Sequence, residues 1–255
     1  MLSEEEKKRY YRQFIAGIFG LEEQMKLKRA KILVIGAGGL GCPALTYLTS
    51  AGVGNIGIAD DDKVSLSNLT RQILYTVEDT GKYKASAAKS RLQKINPECN
   101  ITPYIQKLTK NNAPEIISGY NVVIDGTDNI QTRYLLDDTC AILKKPLVYG
   151  AIFKFEGQVS VFNYQGGPAY RNLFPETDLL TNMPSCNETG VLGVLPGILG
   201  IYQATEAIKI ITGIGNVLSG KLLTFNLLNN HTEYFDIPAN KTTLVNKQSC
   251  FVQAS

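Results

Sequence analysis

The sequence lacks the compositional marks of a nucleic-acid-binding or secreted protein. Its 26 basic and 23 acidic residues leave a formal net charge of +3, too small an excess to indicate a surface for nucleic acid or for an anionic membrane. The five cysteines are an odd number without short regular spacing, which excludes the disulfide framework of a small secreted domain. These absences favour a protein of a reducing, cytoplasmic compartment.

The sequence has one histidine, and it has no long hydrophobic segment that is free of charged residues. The single histidine, His231, falls in a predicted hairpin turn, where we expect it at the surface and outside any active site. The most apolar stretch, Val191–Gly215, carries Pro196, Glu206 and Lys209, so it indicates a buried helix rather than a membrane span. The first residues, MLSEEEKKRYYRQ, are charged from the third position onward and do not resemble a signal peptide.

Strand and helix patterns alternate through the first 150 residues. Apolar runs such as KILVIGA and YNVVIDG predict buried parallel strands, and LGCPALTYLTSAG and KYKASAAKSRLQKINP predict helices between them. Before them, roughly the first 30 residues predict a charged amphipathic helix. Later, EGQVSVFNY and the pair GKLLTFNLL and TEYFDI predict antiparallel strands. We therefore predict one α/β domain with a Rossmann-like, doubly wound and mostly parallel sheet, extended by antiparallel strands.

A glycine-rich turn joins the first predicted strand to the helix that follows it. In KILVIGAGGLG, the glycines Gly36, Gly38 and Gly41 match the pattern G-x-G-x-x-G, and Asp60 ends the next strand, where a carboxylate can bind ribose hydroxyl groups. Glycine lets the backbone approach a phosphate, and the helix N-terminus presents unpaired N–H groups to it. The turn predicts a nucleotide site without distinguishing NAD from ATP.

The segment that begins at Asp60, DDDKVSLSNLTRQILYTVEDTGKYK, favours ATP. It contains two amides and two cations: Asn68, Gln72, Arg71 and Lys84. A dehydrogenase does not need this group, whereas an enzyme that acts on a triphosphate must neutralise the phosphoryl oxygens. The alternative is that Arg71 and Lys84 are solvated surface residues.

Two carboxylates follow another predicted strand. IDGTDN places Asp125 and Asp128 at its carboxyl end, where ligands of open α/β sheets bind. Magnesium on phosphates prefers one or two carboxylates, so Asp128 is a candidate Mg²⁺ ligand. The alternative for Asp128 is an N-cap of the helix that begins with IQTRYLL.

Together these motifs resemble those of the ThiF/MoeB/HesA family, the bacterial relatives of ubiquitin-activating enzymes. The similarity extends from about residue 9 to about residue 236 and also includes EGQVSVF, CNETGVLGVLPG and QATEAIK. It implies a homodimeric enzyme that binds ATP and Mg²⁺ and adenylates the C-terminal glycine of a small ubiquitin-like sulfur carrier protein ending in Gly-Gly. It also implies a single adenylation domain over residues 1–255, with a nucleotide-binding half at about 27–150 and a carrier-binding half at about 151–240.

The resemblance assigns roles residue by residue. Six residues match the family's nucleotide-binding positions: Gly38, Gly41, Asp60, Asn68, Arg71 and Lys84. Among them, Asp60 matches the ribose ligand, and Asn68, Arg71 and Lys84 match the phosphate contacts. Asp128 matches the aspartate at the magnesium ion.

Two further matches complete the implied catalytic set. Arg12 is similar to the arginine that reaches into the neighbouring subunit's active site. Cys186 is similar to the cysteine that accepts the activated acyl group or forms a persulfide link with the carrier. By contrast, three cysteines on predicted helix or strand flanks are expected to be small core residues: Cys42, Cys99 and Cys140.

The sequence departs from the family at its structural zinc site. Family members commonly carry two C-x-x-C pairs, but here the first pair's positions hold Ala169 and Asn172, and only Cys250 remains near the C-terminus. Because a closed tetrahedral site needs four ligands, the sequence predicts no bound zinc.

Several functions stay open beside adenylation of a sulfur carrier for thiamine-thiazole or molybdopterin synthesis. The residues of the segment that begins at Asp60 resemble those of the thiamine-thiazole branch somewhat more than those of the molybdopterin branch. The missing zinc cysteines suit activation of a ribosomal peptide's C-terminus in a natural-product pathway. A non-catalytic binding subunit is disfavoured because the charged site residues are retained, and an NAD dehydrogenase is the last alternative. We expect neither nucleic acid nor a membrane among the partners.

Overall fold

An eight-stranded sheet forms the centre of the computed structural model, which describes residues 1–176 and 190–238. The strands are β1 (Lys31–Ile35), β2 (Asn55–Ala59), β3 (Asn100–Tyr104), β4 (Val122–Asp125), β5 (Leu147–Phe153), β6 (Glu156–Phe162), β7 (Lys221–Asn226) and β8 (His231–Asp236). The helices are α1 (Glu4–Phe14), α2 (Leu21–Arg29), α3 (Gly41–Ala51), α4 (Lys84–Ile95), α5 (Ala113–Ser118), α6 (Ile130–Leu143), α7 (Tyr170–Leu173) and α8 (Val194–Thr212). Two short 3₁₀ turns, Leu66–Asn68 and Val77–Asp79, lie between β2 and α4.

The strand order is β3-β2-β1-β4-β5-β6-β7-β8. Strands β3, β2, β1, β4 and β5 are parallel to one another, and β6, β7 and β8 continue the sheet in antiparallel pairs. This arrangement confirms the predicted α/β fold with a mostly parallel, Rossmann-like sheet and an antiparallel extension.

Both faces of the central strands are covered by helices. Along β1, Ile32 and Val34 pack on one face with residues of α3, α4 and α8, whereas Leu33 and Ile35 pack on the other with residues of α5 and α6. Burial on both faces explains why these strands are almost continuously apolar in the sequence.

Helix α8 is a core helix, as predicted from its internal charges. By length and a mean hydropathy of 1.3, it is the one described helix that meets the criteria for a membrane span. It packs against α2, α3, β4, β5 and β6. Its buried Glu206 forms an ion pair with Lys209 and accepts a hydrogen bond from the Leu218 N–H at 2.8 Å. The glutamate is therefore paired inside the protein.

The N-terminal region differs from the prediction of a single helix. It forms α1 and α2, separated at Gly17, where a φ of +78° interrupts helical geometry. Helix α1 lies beside the C-terminal ends of α3 and α4: Tyr10 packs against Gly52, and its hydroxyl accepts a hydrogen bond from Asn96 Nδ2 at 3.0 Å. Since α3 and α4 begin near the carboxyl ends of β1 and β2, α1 lies at the opposite edge of the sheet.

Candidate active site

A cleft of about 440 Å³ opens at the carboxyl ends of β1, β2 and β4. Strand β1 lies between β2 and β4, so the chain connections leave it in opposite directions, the usual place for a ligand in an open α/β sheet. Six of the predicted site residues line this cleft: Gly38, Asp60, Asn68, Arg71, Lys84 and Asp128. The volume falls within the range of small-molecule sites, which is about 300–1,000 Å³.

The three motif glycines are required for different reasons. Gly36 has a φ of +88°, and a Cβ there would lie 2.7 Å from the Gly126 carbonyl oxygen. A Cβ on Gly41 would lie 1.9 Å from the Gly36 carbonyl oxygen. At Gly38, in contrast, a Cβ would meet only Gln72 Nε2 at 3.7 Å, an ordinary contact. The protein's own packing thus explains Gly36 and Gly41, while Gly38 leaves room for a group in the cleft.

Gly41, the other glycine that the resemblance assigns to the nucleotide, also has a structural role. Gly41 is buried at the start of α3 and is not among the residues that line the cleft. A glycine is needed at this position because the backbone of the turn lies directly against it.

Asp60 is held at the end of β2 facing the glycine turn. Its Oδ2 accepts a hydrogen bond from the Ala37 N–H at 2.7 Å, and its Oδ1 accepts one from the Asp62 N–H at 2.9 Å. Burial raises the pKa of Asp60, and the nearby Lys84 ammonium opposes that rise. Each carboxylate oxygen keeps further acceptor capacity, which suits hydroxyl donors such as those of a ribose.

Lys84 brings a cation into the cleft at the start of α4. It is 6% exposed, and its Nζ lies 2.9 Å from Oδ2 of Asp62, whose side chain is largely exposed. The Lys84 N–H also donates to the Asp62 carbonyl at 2.9 Å, which fixes the backbone beneath the ion pair. A buried ammonium whose partner is solvated is well placed to exchange that partner for a phosphate.

Asn68 ends the first 3₁₀ turn, and Arg71 lies on the turn that follows it. The Arg71 N–H donates to the Asn68 carbonyl at 3.1 Å, and Arg71 Nη1 donates to the Ser67 carbonyl at 3.4 Å. The N-terminal end of α8 presses on this turn, because a Cβ on Gly193 would lie 2.2 Å from the Thr70 carbonyl oxygen. The packing places a guanidinium group beside the glycine turn.

Asp128 is exposed within the cleft just beyond β4. The alternative that it caps α6 is wrong, because the N-cap is Asn129, whose Oδ1 accepts the Thr132 N–H at 2.8 Å. No group of three or more His, Cys, Asp or Glu side chains suited to a metal occurs in residues 1–176 and 190–238. The exposed carboxylate of Asp128 offers oxygen donors of the kind that Mg²⁺ prefers.

Arg133 is a cleft residue that the sequence did not single out. It lies on the first turns of α6, its Nη2 donates to the Thr127 carbonyl at 3.0 Å, and its Nε lies 3.5 Å from Oδ2 of the buried Asp125. Burial raises the pKa of Asp125, and Arg133 opposes that rise. The signal in the sequence was a cation shortly after GTDN, at the start of a helix.

The remaining predicted catalytic residues lie elsewhere. Arg12 is exposed in the last turn of α1, at the opposite edge of the sheet, and does not line the cleft of its own chain. Cys186 and Cys250 lie outside the described residues. His231 is exposed, as expected, but it is the first residue of β8 and not part of the hairpin turn.

The three cysteines predicted in the core, Cys42, Cys99 and Cys140, are buried and free of disulfides. Burial raises the pKa of Cys42 and of Cys99 to about 12, so these thiols are not nucleophiles at neutral pH.

The segment with the two absent zinc ligands is anchored by other means. Asn172 Oδ1 accepts a hydrogen bond from the Ala169 N–H at 2.8 Å at the start of α7. Beneath them, the buried Asp137 carboxylate accepts the N–H groups of Tyr170 at 2.9 Å and Arg171 at 3.3 Å. These bonds hold the segment onto α6.

Known structures share this fold. The crystal structure of E. coli MccB with ATP superposes with a TM-score of 0.81 at 18% identity, covering 92% of this chain and 73% of that one. The structure of PaaA gives a TM-score of 0.79 at 22% identity, covering 92% and 75%. At these identities the likeness establishes the fold alone.

Curated relatives are much closer in sequence. The chain is 51% identical to a probable molybdopterin-synthase adenylyltransferase of Porphyra purpurea, over 91% of this chain and 61% of the relative. It is 48% identical to the sulfur carrier protein adenylyltransferase of Thermus thermophilus, over 89% of this chain and 85% of the relative. The chain thus spans about 61% of the length of the first relative and most of the second. A family model described as the ThiF family matches residues 10–247, and the chain therefore belongs to the ThiF family.

Proposed function

We propose that this protein is an ATP-dependent adenylyltransferase that activates the C-terminal glycine of a small ubiquitin-like sulfur carrier protein. The observation that carries the proposal is the cleft itself, where Asp60, Lys84 and Asp128 surround a glycine turn with room at Gly38. An acceptor for ribose, a cation for phosphates and a carboxylate for Mg²⁺ are the groups that adenylation requires. The printed names of the two curated relatives support the same activity.

The reaction joins two anions and releases pyrophosphate. An oxygen of the carrier's C-terminal carboxylate attacks the α-phosphorus of ATP, the bond from that phosphorus to the bridging oxygen breaks, and an acyl-adenylate forms. The attacking carboxylate is already ionised at neutral pH, so no general base is needed. The protein's task is to align the two groups and to neutralise their mutual repulsion.

The cleft residues divide that task between them. Asp60 orients the nucleoside, and Asn68, Arg71 and Lys84 bind phosphate oxygens. Asp128 holds Mg²⁺, which when bound neutralises charge on the phosphates. Lys84 enters this role by leaving Asp62, with which it forms an ion pair.

Two proposed roles involve residues outside the cleft. Arg12 acts in a homodimer by entering the active site of the neighbouring subunit, which suits its exposed position on α1. After the adenylate has formed, the Cys186 thiolate attacks its carbonyl carbon, the bond to the AMP oxygen breaks, AMP leaves and a thioester with the carrier forms. We also propose that the chain is a single adenylation domain, with a nucleotide-binding half at about 27–150 and a carrier-binding half at about 151–240. We propose that the protein is cytoplasmic.

The pathway is proposed from the relatives. A molybdopterin-synthase adenylyltransferase and a sulfur carrier protein adenylyltransferase are among them, which favours a carrier of molybdopterin synthesis over one of thiamine-thiazole synthesis.

ATP–pyrophosphate exchange tests the proposal. Purified protein with Mg²⁺ is incubated with a panel of carriers that end in Gly-Gly, with the same carriers lacking the last glycine, and with a ribosomal peptide. We expect exchange only with an intact carrier. Exchange with the peptide alone would assign the substrate to the natural-product alternative. Calorimetry that detects tight binding of NADH and none of ATP would overturn the nucleotide assignment.

A further inference from the structure

One buried amide in the cleft has no hydrogen bond. Gln72 is 4% exposed and lines the cleft, and in residues 1–176 and 190–238 its Oε1 has no hydrogen-bond partner. Buried polar side chains are almost always paired in native proteins. The Nε2 of Gln72 forms no hydrogen bond with the described residues either, so neither polar atom of this amide ties the fold together.

Other buried glutamines show the contrast. Gln24 and Gln203 also have an Oε1 without a partner, but each donates from Nε2 to a backbone carbonyl: Gln24 to Ala51 at 2.9 Å and Gln203 to Asp125 at 2.6 Å. Those amides tie helices to the rest of the fold. Within the described chain, Gln72 forms no such tie.

The position of Gln72 is fixed by its backbone. Its N–H donates to the Asn68 carbonyl at 2.9 Å, and its carbonyl accepts the Tyr75 N–H at 3.2 Å. The Nε2 atom lies 3.7 Å from the point where a Cβ on Gly38 would stand. The amide therefore faces the space above Gly38, the glycine whose missing side chain the protein's packing does not explain.

We propose that Gln72 is a nucleotide-binding residue whose amide donates a hydrogen bond to a phosphate oxygen of ATP above Gly38. This inference rests on the proposed function, because it assigns a further contact within the same site. Asn68 and Arg71 on the same turn make that side of the cleft the phosphate side. Asp60, across the glycine turn, takes the ribose.

The test compares two methionine variants, since methionine keeps the length of glutamine without its polar atoms. For Gln72→Met we expect ATP·Mg²⁺ to bind about tenfold more weakly by calorimetry, the loss of one hydrogen bond to a charged group. Adenosine should bind as it does to the unaltered protein. Thermal unfolding without nucleotide should occur at the same or a higher temperature, because no internal hydrogen bond is lost.

Gln24→Met is the matched control. Its amide is equally buried but lies away from the cleft, so we expect a lower unfolding temperature and unchanged ATP affinity. Gln72→Glu keeps the shape of the side chain and adds a negative charge. Because that charge repels the phosphates, this variant should weaken ATP binding more than Gln72→Met does.

Each outcome separates this inference from the proposed function. If the unaltered protein does not bind ATP, the proposed function fails. If it binds ATP and Gln72→Met binds ATP equally well, only the role of Gln72 is overturned. A Gln72→Met protein destabilised as much as Gln24→Met would make Gln72 structural, and an equal loss for adenosine would move the contact from phosphate to nucleoside.

Discussion

Two buried aspartates on the same side of the sheet have opposite surroundings. Asp137 accepts three N–H groups: those of Tyr170 and Arg171 and the side-chain amide of Asn163 at 2.9 Å. Asp125 accepts the N–H and the hydroxyl of Thr127 on Oδ1, but its Oδ2 has no hydrogen bond within the described chain. Burial raises the pKa of both carboxyls.

The difference separates a region built for stability from one built for a ligand. Around Asp137 the polar groups are paired, and an aromatic cluster surrounds α7: Tyr134, Tyr149, Phe162, Tyr170 and Phe174. Around the cleft, the Gln72 amide and Asp125 Oδ2 are left without hydrogen bonds in the part of the chain that the structure describes. Buried polar atoms without hydrogen bonds cost stability, a cost that proteins accept at functional sites.

The largest effect is expected at Asp128. Asp128→Ala should reduce ATP–pyrophosphate exchange by about a hundredfold or more, since it removes a main electrostatic contact to the reacting phosphates. Cys186→Ala should leave exchange nearly intact and impair only the later sulfur transfer, because the thiol acts after the adenylate exists.

Neither variant should form the covalent adduct between the enzyme and the carrier, but the reasons differ. With Asp128→Ala no activated acyl group forms, and with Cys186→Ala no thiol receives it. If Cys186→Ala remained folded but lost exchange, the division of roles would be wrong. Full exchange by Asp128→Ala would remove that residue from the reaction.

The next effect concerns Arg12, which lies far from the cleft of its own chain. Arg12→Ala and Asp128→Ala homodimers should each be inactive. After unfolding and refolding together in equal amounts, half of the dimers are mixed and one of their two sites is intact, so roughly a quarter of the exchange activity should return. No recovery, with mixed dimers shown by differently tagged chains, would exclude a role for Arg12 across the interface.

Most of the fold could be predicted from the sequence because its signals are local. The strand KILVIGA and the helix after it are specified by an apolar run, a glycine turn and a second glycine at the end of the helix. Helix α5 was missed, since APEIIS is only six residues long and too short to show helical periodicity. The break between α1 and α2 at Gly17 was missed as well, because the amphipathic pattern continues across it.

The site was predictable where a motif and a strand end coincide. Asp60 and Asp128 follow strands that the pattern identifies, so their meeting at one edge of the sheet was expected. The close contact of Gly41 with the Gly36 carbonyl was not predictable, because the glycine pattern does not say which glycine packs against the backbone. Arg133 was missed since its place in the cleft depends on the buried Asp125 beside it, a contact made only in three dimensions.

A smaller effect is expected at α7, where two neighbouring aspartates offer a matched pair. Asp137→Ala leaves buried N–H groups of Tyr170 and Arg171 without an acceptor and should lower the free energy of unfolding by about 3 kcal/mol in urea titrations. Asp138→Ala removes only a solvated ion pair with Arg171, so about 1 kcal/mol or less should be lost. Equal losses would show that the Asp137 carboxylate does not anchor the segment.

The smallest effect is expected from a metal chelator, which should leave the unfolding temperature unchanged. Ala169 and Asn172 occupy the positions of the first cysteine pair, and Asp137 with the surrounding aromatic rings already holds that segment. The purified protein should therefore contain far less than one zinc ion per chain by elemental analysis, and dialysis against a chelator should not change its unfolding temperature. Asp137→Ala, measured in parallel, shows what loss of the anchor looks like. Stoichiometric zinc that survives the chelator, or a chelator-induced loss of stability as large as that of Asp137→Ala, would mean that a metal and not the carboxylate secures this region.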